Sequence, residues 1–146
     1  MPILNYTTKI EASKTVLEIQ AILVKARAFS VTVNYDEKGQ PVSLFFAVEV
    51  FDNLVPFRLP TDWPGVLAAM RNDKNVPPRY RNEEQARRVA WRIVKDWVEA
   101  QMAFIESGQV TLAQLFLPHA VKPDGRTFYE EIESSYLMLG SGEGDK

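Results

Sequence analysis

The feature that most constrains this chain is the segment from Asn82 to Ser107, a single long amphipathic helix by its pattern. Asn82 is a good N-cap, Glu83 and Glu84 suit the positive end of a helix dipole, and Gly108 supplies a stop. Ala86, Ala90, Ile93, Trp97, Ala100 and Phe104 recur at a 4-3-4-3-4 spacing, while Trp91, Val94, Val98 and Ile105 form a second apolar stripe. A helix apolar on two sides needs cover on both. The sheet described next supplies one cover, and the helix expected over Thr111–Ala120, or a second subunit, supplies the other. Trp91 and Trp97 fall on different sides of the helix, and tryptophan is enriched at interfaces. One of them is therefore expected at a contact between copies, in a dimer or larger homo-oligomer.

The remaining pattern is α+β. Val16, Ile19 and Leu23, widened by Ile22 and Ala26, mark a helix that Ser13 or Thr15 can cap. From Phe29 the period changes to two. Phe29, Val31, Val33 and Tyr35 alternate with polar residues, Asp36–Pro41 is a turn, and Val42–Phe51 is apolar on both faces and hence central. Leu54–Leu59 carries Pro56, which argues for an edge strand. Residues 6–10 are β-prone, so the antiparallel meander has three or four strands. Trp63–Arg71 reads as a short helix capped by Thr61 or Asp62, with Pro64 in its first turn. A stiff loop follows over 72–80, and Thr127 caps a last helix from Phe128 to Leu139. The expected organisation is one domain over 1–139 with a disordered tail over 140–146.

Composition removes several functions. With no cysteine and one histidine there is no thiolate site, no disulfide framework, and too few ligands for an ordinary zinc centre. No P-loop, Gly-x-Gly-x-x-Gly, EF-hand or Gly-x-Ser-x-Gly pattern occurs. His119 lacks a partner nucleophile in sequence and is read as a helix-end residue bonded to backbone. The carboxylates Asp124, Glu130, Glu131 and Glu133 are read as an acidic solvent face. Phe45, Phe46, Phe51 and Phe57 are read as core, because few basic residues accompany them for tracking a nucleic-acid backbone. There is no apolar run long enough to span a membrane and no leader pattern, so a cytoplasmic setting is expected. No catalytic residue, metal or cofactor is assigned.

The charge is uneven. Residues 1–70 hold 6 basic and 7 acidic side chains, residues 71–95 hold 8 and 3, and residues 96–146 hold 3 and 9, giving −1, +5 and −6 and a total of −2. A basic island in an acidic chain points to a local anion site. Arg79, Tyr80 and Arg81 enter the long helix where unpaired N–H groups favour phosphate or carboxylate. Arg88 and Arg92 lie further along it, and Tyr80 offers a flat face for a base. The alternatives are neutralisation by the acidic C-terminal third, by a partner chain, or by helical ion pairs such as Glu84–Arg88, Arg92–Asp96 and Lys95–Glu99.

The run Tyr80-Arg81-Asn82-Glu83-Glu84-Gln85-Ala86-Arg87-Arg88-Val89-Ala90-Trp91-Arg92-Ile93-Val94-Lys95-Asp96-Trp97-Val98-Glu99-Ala100-Gln101-Met102 resembles a family of small, uncharacterised proteins of bacteriophages and prophages. Weaker likeness extends to Thr8–Ile10, Thr15–Gln20, Phe57–Pro60 and Leu117-Pro118. The resemblance implies a phage setting and carries no activity or site residues. Such a setting suggests a binding protein without catalysis, acting in counter-defence by sequestering a phosphate-bearing nucleotide signal or inhibiting a host defence protein. The alternative is an accessory of phage DNA metabolism that binds single strands.

Overall fold

The computed structural model of the chain describes residues 3–144, with side chains from residue 3 to residue 137. It is α+β: a helix α1 (Ala12–Lys25), strands β1 (Ser30–Tyr35), β2 (Pro41–Val50) and β3 (Asn53–Arg58), then helices α2 (Trp63–Arg71), α3 (Glu83–Glu106), α4 (Leu112–Phe116) and α5 (Phe128–Gly144). The three strands form an antiparallel meander in the order β1-β2-β3. As the double-sided apolar run requires, β2 is central. The β3 edge carrying Pro56 is covered by a short return segment, with Val121 N donating to Pro56 O at 2.8 Å.

The expected strand at 6–10 does not form. Its carbonyls serve another purpose: the buried Gln85 amide donates to Tyr6 O at 2.8 Å and Thr8 O at 2.9 Å, fastening the N-terminal segment to α3. The cap expected at Ser13 or Thr15 is also absent, since α1 begins after Glu11 without a side-chain cap, and Thr15 is buried. By contrast α2 has the expected bounds, with Asp62 accepting from Gly65 N, and Asn82 caps α3 by accepting from Gln85 N at 2.9 Å. Gly108, at φ +81°, takes the left-handed position that ends α3. The last helix continues through Gly144, past the Leu139 boundary expected from sequence, and residues 145–146 of the expected tail lie outside the described residues.

One stripe of α3 and the first part of the other find cover within the chain. Trp91, Val94, Val98 and Met102 join Val16, Ile19 and Leu23 of α1 and Leu44, Phe46, Val48 and Phe57 of the sheet in the main core. Phe46 and Phe57, cross-strand partners, stack at 5.3 Å, with Phe116 edge-on to both. On the other side Ala86 and Val89, with Ile93, pack against Leu67 and Met70 of α2 and Val76 of the loop. The second layer is thus mainly α2, where the sequence pointed to the 111–120 helix or another subunit. Of the 4-3-4 seam, only the first half is covered this way; Ala100 and Phe104 are exposed.

Candidate functional site

The basic segment is largely tied up inside the molecule. Arg81 turns back from the start of α3 and donates from Nε to Val76 O at 2.8 Å and from Nη2 to Asp73 O at 2.9 Å, closing the 73–81 loop. Arg88 meets Glu84 at 2.7 Å, Glu11 at 3.2 Å and Gln85 Oε1 at 3.1 Å. Arg92 reaches Glu18 at 2.5 Å rather than Asp96, whose carboxylate accepts from Asn5 instead. Arg87 pairs with Glu83 at 2.9 Å and lies over the Trp63 ring at 4.6 Å, and Lys95 pairs with Glu99 at 2.6 Å.

Arg79 differs. Its guanidinium is exposed and sits 4.7 Å above the Tyr80 ring, whose other neighbour is Tyr6, edge-on at 5.6 Å. The five residues expected to converge on an anion therefore divide: Arg79 with Tyr80 at the surface, Arg81 folded into the loop, and Arg88 and Arg92 on α1. The neutralising carboxylates come from Glu11 and Glu18 and from α3 itself. Of the acidic C-terminal third, Glu99 pairs with Lys95, while Glu130, Glu131 and Asp124 bind Arg58, Lys122 and Arg126.

Both tryptophans pack within the chain, Trp91 fully and Trp97 in part. Trp91 is 2% exposed and its indole N–H donates to Pro41 O at 3.2 Å. Trp97 is half-buried, 5.2 Å from Phe116 and 5.6 Å from His119. His119 is held below the ordinary imidazole range by burial, and secondarily by the Arg58 charge. Among the described residues, no three of His, Asp and Glu are grouped to hold a metal ion.

An open apolar surface lies elsewhere, at the β2–β3 hairpin. Val50 pairs with Asn53, so Phe51 and Asp52 are the two loop residues, and both have positive φ, +49° and +64°. Asn and Gly favour such mirror-image turns. Phe51 holds this position with 89% of its surface exposed, where the sequence reading had placed it in the core. It stands between two hollows. One, of about 490 Å³, is lined by Ala26, Arg27, Val48, Glu49, Val50 and Leu112. The other, of about 240 Å³, is lined by Val55, Leu117, Ala120 and Phe128. Period-two alternation assigns Phe51 to a strand; only the register, which ends pairing at Val50, puts it on a turn.

No protein-family model, curated protein or solved structure matches the chain.

Proposed function

We propose that this chain is a non-enzymatic binding protein whose recognition surface is the apolar groove beside Phe51, and that its partner is a protein. The observation that carries this reading is Phe51 itself. A bulky side chain in the left-handed region costs about 1–2 kcal/mol, and strain of this kind clusters at functional sites. Phe51 recovers little of that cost by burial. The groove beside it is of the size that takes a large apolar side chain or two. Arg27, also at positive φ, and Glu49 both line it, so its charges balance and an apolar anchor fits best. In the phage setting that residues 80–102 resemble, such a protein acts in the host cytoplasm as an inhibitor of a host defence protein.

Capture of a nucleotide is the second reading, kept by the exposed Arg79–Tyr80 pair. Thermal shift separates the two. A nucleotide at 100 times its dissociation constant adds about 2.7 kcal/mol of apparent stability. The protein-partner reading predicts no shift with cyclic or linear nucleotides. A shift that disappears in Arg79→Ala overturns it, and a steeply salt-dependent affinity for single-stranded oligonucleotides carries the DNA alternative.

A further inference from the structure

The first turns of α5 present their faces in the reverse of the usual order. Positions three and four apart share one side of a helix. Thr127, Glu130, Glu131 and Ser134 share one side and are buried or half-buried. Glu130 reaches Arg58 at 2.8 Å, and Glu131 pairs with Lys122. Phe128, Tyr129, Ile132 and Tyr136 fall within an arc of about 100° on the other side. All four are exposed, Ile132 by 63% and Tyr136 by 77%. Polar residues hold this helix to the body and apolar residues look into solvent, the opposite of an ordinary surface helix.

We propose that this face pairs with the same face of a second copy, two α5 helices lying antiparallel across a two-fold axis near Ile132. Area argues for it: the exposed parts of these four side chains offer on the order of 500 Å² per copy. A standard interface needs about 800 Å² per partner, and the flanking helix surface adds to the side-chain area. Charge permits it: Glu130 and Glu131 turn away from this face to Arg58 and Lys122, and Glu133 stands at its margin. A stripe at i, i+4 and i+8 is its own complement when inverted, so an isologous contact needs no second surface. Antiparallel helix dipoles also attract. The homo-oligomer expected from the sequence is thereby moved from the tryptophans of α3 to α5; it shares Phe128 with the smaller hollow beside Phe51 and leaves the larger groove open.

Sedimentation of the full chain at micromolar concentration tests the pairing. The expected mass is twice 16.6 kDa. Ile132→Asp/Tyr136→Asp, altered only at exposed positions, is expected to keep the wild-type circular dichroism and raise the dimer dissociation constant at least about 100-fold, the scale of losing two buried anchors. Because the chain has no cysteine, Ile132→Cys is expected to form a disulfide-linked dimer on mild oxidation, and Leu17→Cys, exposed on α1, is not. A wild type that is monomeric overturns the pairing. So does a dimer that survives the double substitution, or one that fails to cross-link through position 132. None of these outcomes bears on partner binding in the larger groove beside Phe51.

Discussion

Replacing Arg81 by alanine separates an architectural arginine from a ligand-binding one. Its side chain makes two charge-assisted bonds, to the carbonyls of Val76 and Asp73, at 2.8 and 2.9 Å. Hydrogen bonds to charged groups contribute about 1.5–3 kcal/mol each. The site is only partly buried, so water takes over much of what the carbonyls lose, and a net cost of about 2 kcal/mol is expected for the pair. Val76 is fully buried against Met70 and Val89, so loosening the loop also disturbs the smaller core. For a chain of this length that is a fall in melting temperature of roughly 5–10 °C. Arg79→Ala, which removes an exposed guanidinium lying over Tyr80, is expected to stay within about 0.5 kcal/mol of wild type. Urea unfolding followed by circular dichroism measures both. Equal costs for the two substitutions, or no cost for either, would refute the assignment of Arg81 to the loop.

Three further outcomes follow from the geometry. Trp91→Ala is expected to cost about 3–5 kcal/mol of stability in dilute monomer and dimer alike, because it empties core volume and strands the Pro41 carbonyl; chemical denaturation at two protein concentrations checks this. Phe51→Asn/Asp52→Gly relieves two left-handed residues and is expected to stabilise the fold by about 1 kcal/mol in the same assay, while removing the aromatic from the groove. For His119, burial lowers the folded pKa, so the unfolded chain takes up its proton first. Stability is full above the unfolded value near 6.5 and declines as pH falls from there toward the folded value, and His119→Gln flattens that decline in melting temperature against pH.

The elements legible in the sequence are those fixed by local chemistry. Asp62 and Asn82 announce the starts of α2 and α3 because an N-cap acts within three residues, and Gly108 announces a stop for the same reason. The meander was legible because alternation and turn residues are local as well. What could not be read is which distant group each side chain meets. Counting charge by segment gave residues 71–95 an excess of +5, yet α1 lies along α3 and brings Glu11 and Glu18 to Arg88 and Arg92. Arg81 bonds backbone five and eight residues behind it, a contact with no side-chain signature. One of Trp91 and Trp97 looked like a subunit contact because their stripes differ, but the sheet and α1 enclose Trp91, and Phe116 and His119 pack on Trp97. On α5 the two faces are plain in the sequence; that the polar one turns inward depends on Arg58 and Lys122, which only the fold brings there.

Recognition at the hairpin tip, and not at the arginines, can be read by photo-cross-linking from two positions in cell extract. A photoreactive phenylalanine replaces Phe51 in one protein and Tyr80, beside Arg79, in another. One discrete protein adduct is expected from position 51, lost when Leu112→Asp fills the adjoining groove with charge, and none from position 80. An adduct with a nucleotide or protein at position 80, with none at position 51, would place recognition at Arg79 and Tyr80 instead.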